Sequence, residues 1–468
     1  MARGSLQLNS EWKTKVEESL AIKQLTQKLI AEQLNISKSS VSKFINGKPI
    51  AANNFIRICQ EIGLDWGLAS QEEPQKNDFE NFKFKTTNFK SNPGGEIAPQ
   101  EIIGRERLIR QIWEILEQQS LIFVGERRIG KSSTLKKMAS EDNDKMLPIY
   151  RDLEGIRTPI EFVEKVWQDI ELHLPEEGKA TKVRNFLSQL QATQFTGFHF
   201  TEIAESHWKS LLTFAIEDLV KMQNKQIVFI WDEIPHMLEN FADRSAMEML
   251  DTLRSLRQTY PDIRMVFSGS IGLHHIFKNL QKAGYRNDPT NDMYTIDGQP
   301  LTLEDAMKLT IHLIEGENIA TFNVEKSARD IAEAVDCIPF YIHHLVNQLK
   351  TLKEEVTHSV IINTIEECLH NPLNPWKMDH YRERIDNYYT EDQKPYVLNI
   401  LDLLAINPPT TFTKLWQVLY NDPETNNKEM ARTIIRLLMK DYYLIQTGSI
   451  YSFRYQLVQQ YWKLSRGI

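Results

Sequence analysis

One stretch of the sequence carries residues whose types and spacing suit phosphate chemistry. From residue 121 to residue 133 it reads Leu-Ile-Phe-Val-Gly-Glu-Arg-Arg-Ile-Gly-Lys-Ser-Ser. Gly125 and Gly130 permit backbone angles that turn N–H groups inward, where they cradle phosphate oxygens. Lys131 supplies a cation for the β- and γ-phosphates, and Ser132 offers a hydroxyl to Mg²⁺. The pattern predicts a loop that binds a nucleotide together with Mg²⁺.

Hydrolysis also needs carboxylates, and a second apolar run ends in two of them. This run, residues 226–231, is followed directly by Asp232 and Glu233. Asp232 is placed to bind Mg²⁺, directly or through water, and Glu233 to polarise the attacking water. The alternative is an ordinary strand that ends in a solvated acidic turn. A third apolar run, residues 263–267, ends in Ser268-Gly269-Ser270.

The elements that must position these residues follow from the apolar patterning. Residues 121–124 read as a buried parallel strand, and a helix follows from Lys131 through Met138. Residues 146–153 form a further predicted strand, with Asp152 and Glu154 at its end. Residues 160–222 are predicted to be mostly helical, and residues 192–201 look like an insertion. The pattern is typical of an α/β core.

Composition limits the class of protein. The chain has 468 residues, a net charge of −8 and a pI near 5.9, so any contact with DNA must be local. The three cysteines, Cys59, Cys337 and Cys368, match no metal-binding spacing and suggest a reducing compartment. The N-terminus lacks the apolar core of a signal peptide, and no run of about 18 apolar residues exists. We expect a cytoplasmic protein of about three domains with no membrane partner.

Residues 1–70 read as an all-α module. The predicted helices cover residues 12–23, 27–34, 38–46 and 51–62, with a tight turn at residues 35–37. The exposed face of the third helix would carry short donors and cations suited to base edges and phosphates. These candidate DNA contacts are Lys38, Ser39, Ser40, Ser42 and Lys43. Residues 1–70 hold nine basic and six acidic residues, opposite in balance to the whole chain.

The passage from Ser37 to Pro49 resembles the repressor/Cro type of helix-turn-helix domain, since it reads Ser-x-Ser-x-Val-Ser-x-Phe-x-Asn-Gly-Lys-Pro. The resemblance implies that residues 26–48 bind double-stranded DNA. The alternative is a module that binds a protein or dimerises. Residues 71–100 read as a linker. Its phenylalanines, Phe79, Phe82, Phe84 and Phe89, suggest that part of it docks on a surface.

Residues 102–350 resemble the archaeal-type ATPases of the origin-recognition/STAND branch of AAA+ proteins, and the chain looks like a bacterial member. The resemblance rests on the passages 104–106 (Gly-Arg-Glu), 127–132 (Arg-Arg-Ile-Gly-Lys-Ser), 268–273 (Ser-Gly-Ser-Ile-Gly-Leu) and 300–302 (Pro-Leu-Thr). It implies ATP as the nucleotide and a five-stranded parallel sheet in which one strand separates the loop strand from the acidic strand. It also implies a γ-phosphate sensor at Ser268 or Ser270, and nucleotide contacts from Gly104, Arg105, Arg128, Ser133 and Pro339.

Two departures from the family pattern bear on turnover. Cys337 stands where the related ATPases have glycine, and no arginine follows at the lid-sensor position, where His343 and His344 stand. The departures predict slow hydrolysis. Arg286, in a polar loop, is the positional candidate for an arginine that acts on a neighbour's γ-phosphate, although a solvated arginine is the plainer interpretation.

The predicted organisation is a helix-turn-helix domain (1–70), a linker (71–100), an AAA+/STAND-like core (101–300), a helical lid (301–375) and a winged helix (376–468). The winged helix is predicted from three helices (396–405, 413–420, 428–440) and a hairpin (443–446, 450–453). In related ATPases it binds DNA or holds the ADP state closed, and both alternatives remain open.

These features favour an ATP-binding, slowly hydrolysing switch that multimerises on DNA to control transcription, a mobile element or defence, the last through a separate protein effector. A DNA-stimulated motor or clamp loader is the first alternative, but it would need a clear trans arginine. A nucleotide-independent DNA scaffold is the second, and the presence of Lys131, Asp232 and Glu233 argues against it.

Overall fold

The computed structural model describes residues 5–8, 12–13, 16, 20, 25–34, 36–62, 64, 89–174, 183, 206–269 and 272–468. The chain divides into two compact units, Met1–Thr87 and Asn88–Ile468. The boundary falls inside the predicted linker, so residues 89–98 belong to the second unit. The predicted first helix lies largely outside the described residues, as do Phe79, Phe82, Phe84 and the predicted insertion.

The described part of the first unit is a small helical body with one short antiparallel strand pair. In chain order its elements are β1 (Ser5–Leu6), α1 (Gln27–Gln33), α2 (Lys38–Ile45), β2 (Ile50–Ala51) and α3 (Ala52–Ile62). Ser37 caps α2 because its hydroxyl accepts a hydrogen bond from the Ser40 N–H. Val41 and Phe44 are fully buried, and Phe44 meets Phe55 of α3 edge-on. Ile30 of α1 joins the same hydrophobic cluster, so α1, α2 and α3 pack around one apolar centre.

The second unit is built on a five-stranded sheet in which every neighbouring pair is parallel. The elements that form the sheet and cover it are α4 (Glu106–Leu116), β3 (Leu121–Gly125), α5 (Lys131–Ser140), β4 (Met146–Asp152), α6 (Pro159–Leu172), α7 (Trp208–Met222), β5 (Gln226–Asp232), α8 (Ile234–Asn240), α9 (Asp243–Thr259), β6 (Ile263–Ser268), α10 (Leu273–Lys282) and β7 (Tyr294–Gly298). The strand order is β4-β5-β6-β3-β7. The predicted α/β class and the predicted strand between β3 and β5 are thus confirmed.

Helices cover both faces of the sheet, which is why its strands read as continuous apolar runs rather than alternating ones. Along β5, Ile227, Phe229 and Trp231 join the hydrophobic cluster on one face. Val228 and Ile230 join the cluster on the other face, as the two-residue period of a strand requires. The apolar run of β5 ends at Trp231, so Asp232 lies at the carboxyl end of this buried strand.

The remaining elements of the second unit are α11 (Leu303–Glu317), α12 (Val324–Ala334), α13 (Pro339–Leu352), α14 (His358–His370), α15 (His380–Tyr388), α16 (Lys394–Ile406), β8 (Thr410–Thr411), α17 (Phe412–Leu419), α18 (Lys428–Lys440), β9 (Leu444–Thr447), β10 (Ile450–Phe453) and α19 (Gln456–Arg466). The predicted hairpin is present as β9 and β10, and β8 pairs with β10 to make a small antiparallel sheet. Sequence patterns missed α14, α15, β8 and α19.

One hydrophobic cluster runs through the whole of this C-terminal part. It joins residues of α11 to α14 with residues of α15 to α19, and it also includes Ile129 from the phosphate-binding loop. The predicted lid and winged helix therefore pack as one body that reaches the loop. None of the helices within the described ranges has the length and the apolar character that a bilayer crossing needs.

Candidate functional site

The loop between β3 and α5 needs glycine at two positions. Gly125 has φ +155°, and a side chain there would meet the Gly298 carbonyl of the neighbouring strand β7. Gly130 has φ +96° and is the residue from which α5 starts. L side chains rarely adopt such angles, so both glycines are required for the loop to turn back over the first turn of α5. The loop N–H groups and the N-terminus of α5 together suit an anion.

Lys131 lies beneath this loop and is buried. Its Nζ donates hydrogen bonds to the carbonyl oxygens of Gly125 (2.8 Å) and Glu126 (3.0 Å). Burial lowers the pKa of Lys131, while the carboxylates of Glu126, Glu233 and Asp232 oppose that change. The lysine is therefore held in place by the loop backbone, at the point where phosphate charge would be received.

The two predicted acids follow β5 at the same edge of the sheet. Asp232 is 1% exposed, and its two carboxylate oxygens accept hydrogen bonds from the Glu233 N–H (3.1 Å) and the Tyr150 hydroxyl (3.4 Å). Burial and the nearby carboxylates, Asp232 first among them, raise the pKa of Tyr150, so the hydroxyl stays protonated. Glu233 adopts the left-handed conformation, with φ +57°, immediately before α8. Such a conformation is uncommon for a non-glycine residue and marks a constrained position.

Ser268 ends β6, the strand that lies between β3 and β5. It is 2% exposed, and its hydroxyl has no hydrogen-bond partner among the described residues. A buried hydroxyl without a hydrogen-bond partner destabilises the fold and needs an explanation. This hydroxyl lies at the end of β6, between β3, which leads into the loop, and β5, which leads into the two acids. Ser270, the other predicted sensor, lies outside the described residues.

A cavity of about 330 Å³ opens above the loop, within the size range of sites for small ligands. It is lined by the loop and the start of α5, by two acids, by the start of α13 and by the segment before α4. The lining residues are Arg127, Arg128, Gly130, Lys131, Ser132, Ser133, Glu154, Glu233, Pro339, Phe340, His343, Asn92, Gly94, Gly95 and Ile97. The structure thus brings together most of the predicted nucleotide contacts.

Gly104 and Arg105 do not line this cavity. Arg105 is 5% exposed, and its guanidinium donates to the carbonyl oxygens of Gln299 (2.9 Å) and Ile129. Burial lowers the pKa of Arg105 to about 10, with Asp305 and Glu106 opposing the shift. In this structure Arg105 supports the loop from behind, and its predicted contact with the nucleotide remains a prediction.

Arg128 connects the loop to the C-terminal body. Its guanidinium donates to the carbonyl oxygens of Trp376 and Lys377, and it lies over the Phe340 ring at 4.4 Å from the centroid. Arg128 also has φ +69°, outside the usual range for its residue type. The loop conformation and the position of α13 are therefore linked through one side chain.

Sequence patterns missed the group that closes the other side of the loop. Arg384 of α15 donates to Glu126 Oε1 (2.9 Å), and the two side chains are 12% and 1% exposed. His380, on the same helix, places its Nε2 4.0 Å from that oxygen. Burial and the charge of Arg384 lower the pKa of His380 well below its ordinary value, so the ring is neutral near pH 7. No spacing rule joins residues 126 and 384, so the sequence carries no signal for this pair.

The segment of residues 89–98, which we call the strap, runs from the lid to the cavity. Phe89 stacks on His312 of α11 at 5.2 Å, and Ser91 donates through both its N–H and its hydroxyl to Glu317 (2.7 Å each). Burial alone would raise the pKa of Glu317, but the Lys350 ammonium and the Ser91 donors outweigh it and lower the pKa to about 2. The strap is therefore anchored by an ionised carboxylate, and its next residues line the cavity.

Gly316→Ala tests the strap. A side chain at position 316 would stand 1.7 Å from the Phe89 carbonyl oxygen, so the strap must move. In an isolated helix alanine is favoured over glycine by about 1 kcal/mol. If the strap did not contact α11, the substitution should therefore stabilise the protein. We expect destabilisation instead, with nucleotide affinity weakened about tenfold, or 1.4 kcal/mol. Thermal unfolding and nucleotide titration measure both quantities.

Glu315→Ala is the matched control, because Glu315 is exposed on the same helix. It should leave the nucleotide affinity unchanged. A more stable Gly316→Ala protein with normal affinity would show that the strap does not form part of the site.

The predicted DNA contacts lie in the first unit. Lys38, Ser39 and Lys43 are exposed on α2, and Ser40 and Ser42 are partly exposed. The Ser40 hydroxyl is hydrogen-bonded to Ser37 (2.9 Å), and Asn46 donates to the Ser42 carbonyl oxygen (2.8 Å). All five side chains belong to one helix, as the sequence predicts. Arg286, in the second unit, is exposed.

Comparison with known proteins bears on the second unit. The sequence profile of the AAA domain matches residues 115–277. No curated protein sequence matches the chain. The solved structure of the Walker-type ATPase PABY2304 of Pyrococcus abyssi is 16% identical, with 78% of this chain and 97% of that chain covered and a TM-score of 0.56.

Two other solved structures superpose more loosely. The ORC2 protein of Aeropyrum pernix is 11% identical, with 82% and 99% of the chains covered and a TM-score of 0.41. The ORC1 protein of the same organism, in complex with DNA, is 13% identical, with 78% and 95% covered and a TM-score of 0.35. Of these three structures, the Pyrococcus ATPase has a TM-score above 0.5, and it shows a shared fold. The predicted AAA-like α/β core is confirmed as a fold: residues 115–277 match the AAA domain, and the second unit is built on a parallel five-stranded sheet.

Proposed function

We propose that this protein is an ATP-operated switch that associates with DNA. The observation that carries the proposal is the cavity above the loop, which is lined by the loop, Glu233, the start of α13 and the strap. Arg384 of α15 contacts the same loop through Glu126. Because the phosphate-binding loop is contacted from both sides, a change in the bound nucleotide would alter these contacts.

The chemistry follows from the residues at the edge of the sheet. Ser132, exposed at the start of α5, and Asp232, after β5, would hold Mg²⁺. Bound Mg²⁺ supplies charge neutralisation on the phosphates. Lys131 binds phosphate oxygens, and Glu233 orients and polarises the attacking water. The orphaned Ser268 hydroxyl suits a donor to the γ-phosphate.

The C-terminal body supplies the switch. Arg384 joins the C-terminal body to the loop, because it donates to Glu126 and to the Asp441 carbonyl oxygen (2.6 Å). This connection supports the second of the two roles considered for the winged helix, which is to hold one nucleotide state closed. We infer that ADP leaves the Glu126–Arg384 pair intact and that ATP weakens it, because added phosphate charge competes for the arginine.

The first unit would bring the switch to DNA. A helix that presents two lysines and three serines, after a tight turn, suits phosphates and base edges in a major groove. Serines discriminate bases weakly, so multimerisation would raise the affinity through several weak contacts. ATP-dependent assembly then places several copies of α2 on one duplex.

Lys38→Ala combined with Lys43→Ala should weaken DNA binding about equally for all sequences. Each lost phosphate contact reduces the slope of log K against log salt by about 0.9, so the pair should reduce it by about 2. Fluorescence anisotropy over a salt series measures the slope. Lys308→Ala with Lys326→Ala removes the same charge from the lid and should leave the slope unchanged. An equal slope in wild type and the α2 variant would place the DNA contact elsewhere.

Mass photometry with ATP, ADP and a DNA duplex tests the proposed function directly. We expect higher-mass particles on DNA with ATP and the single chain with ADP. A mass that does not depend on the nucleotide, with or without DNA, would contradict a nucleotide-operated assembly. Fast turnover stimulated by DNA would instead identify a motor.

A further inference from the structure

A second group of ligand-type side chains lies outside the nucleotide site, where α10 meets the end of α18. His274 and His275 open α10, and Asp441 follows α18. The Nε2 atoms of His274 and His275 lie 3.1 Å and 2.7 Å from the same oxygen, Asp441 Oδ1. The three ligand atoms, one from each residue, all lie within 4.8 Å of one another. Two imidazoles and one carboxylate form a donor set typical of zinc sites.

Hydrogen bonding alone leaves this group incomplete. His274 Nε2 is buried and makes no hydrogen bond among the described residues, although it faces Asp441. His275 and Asp441 are 3% and 4% exposed. The buried His274 Nε2 faces the same Asp441 oxygen that the His275 ring already contacts. A cation shared by the three side chains would give this nitrogen a partner.

The surroundings orient these ligands. The Tyr389 hydroxyl donates to Asp441 Oδ2 (2.5 Å), which leaves Oδ1 turned toward the two rings. The His274 ring packs against Gly272, where a side chain would stand 2.4 Å from the ring. His275 stacks on Tyr388 at 4.7 Å. Outer contacts of this kind fix ligand geometry in metal sites.

A cavity of about 490 Å³ adjoins the cluster, and all three residues line it. The side chain of His274 is 24% exposed, so the group is reachable from solvent. The cavity gives room for a water ligand and a path for an ion.

We propose that His274, His275 and Asp441 form a binding site for a divalent transition-metal ion of the Zn²⁺ class, with water as the fourth ligand. Tetrahedral Zn²⁺ with ligand distances of about 2.0–2.2 Å separates its ligand atoms by about 3.3–3.6 Å. The observed 2.7 Å and 3.1 Å require only small side-chain movements to reach that geometry. Two imidazole ligands favour Zn²⁺ over Mg²⁺ or Ca²⁺, which take oxygen ligands.

The site joins the AAA core to the C-terminal body. Two ligands come from α10, beside the sheet, and the third comes from the turn after α18, whose Asp441 carbonyl oxygen also receives Arg384. A bound ion would therefore hold the position from which Arg384 reaches Glu126. This inference does not depend on nucleotide binding or on DNA binding.

Titration of the full-length, metal-stripped protein with Zn²⁺ and Co²⁺ tests the site. We expect one equivalent of Zn²⁺ to bind, and Co²⁺ to give the intense visible absorption of a tetrahedral site. His274→Gln should lower the Zn²⁺ affinity at least about 100-fold. Loss of a group that only orients a ligand already lowers the affinity about 10- to 100-fold, and His274 is a ligand itself. His358→Gln is the control, because the side chain of His358 is 68% exposed on α14.

Two results would overturn the proposal. One is an unchanged Zn²⁺ affinity in a folded His274→Gln protein, with folding checked by thermal unfolding. The other is a wild-type protein that fails to bind one equivalent of Zn²⁺, or whose Co²⁺ spectrum is the weak one of oxygen ligands. The wild-type spectrum decides the question even where a variant does not fold. Failure of nucleotide binding would leave either result unaffected.

Discussion

Lys131→Ala is expected to reduce the affinity for ATP and ADP at least about 100-fold. The ammonium lies buried beneath the loop and is held by the Gly125 and Glu126 carbonyl oxygens, so it needs little rearrangement to meet phosphate oxygens. Hydrogen bonds to charged groups contribute about 1.5–3 kcal/mol each, and two of them account for the expected loss. Isothermal titration calorimetry with each nucleotide measures the change.

Lys145→Ala is the control for loss of a lysine charge. The Lys145 side chain is 75% exposed and pairs with Glu117, away from the cavity. It should bind nucleotides as wild type does. Equal ATP affinity in Lys131→Ala and wild type would remove the assignment of the phosphate-binding loop, and with it the proposed switch.

Glu233→Gln is expected to lower the rate of ATP hydrolysis about 100- to 10,000-fold, the range for loss of a general base. ATP binding should persist, because the amide keeps the size of the side chain and the buried Asp232 remains available to Mg²⁺. The protein should accumulate in the ATP-bound assembly, since hydrolysis is the step that resets it. Single-turnover phosphate release and mass photometry report the two effects separately.

Glu154→Gln tests which of the two acids that line the cavity acts as the base. Glu154 also lines the cavity but is exposed after β4, one strand away from Asp232. We expect its substitution to change turnover by less than tenfold. A large loss in Glu154→Gln together with normal turnover in Glu233→Gln would assign the base to the other strand.

The sequence by itself determined the parts of the site that depend on short spacings. Gly125, Gly130 and Lys131 lie within one loop, where positive φ angles and the start of a helix leave little conformational choice. Asp232 follows an apolar run, and parallel strands bring their carboxyl ends to one edge of the sheet, so this acid could be placed near the loop without coordinates. The parallel sheet could also be predicted from the sequence, because strands that are buried on both faces read as continuous apolar runs.

Only the tertiary structure decided which distant side chains meet. Arg384 and Glu126 are 258 residues apart, Ser91 and Glu317 are 226 apart, and His275 and Asp441 are 166 apart. Each pair joins elements whose relative position depends on core packing, for which no spacing rule exists. The same packing turned Arg105 toward the backbone of Ile129 and placed the strap against the cavity. Local spacing therefore specified the phosphate loop and the acids, while long-range packing specified what closes over them.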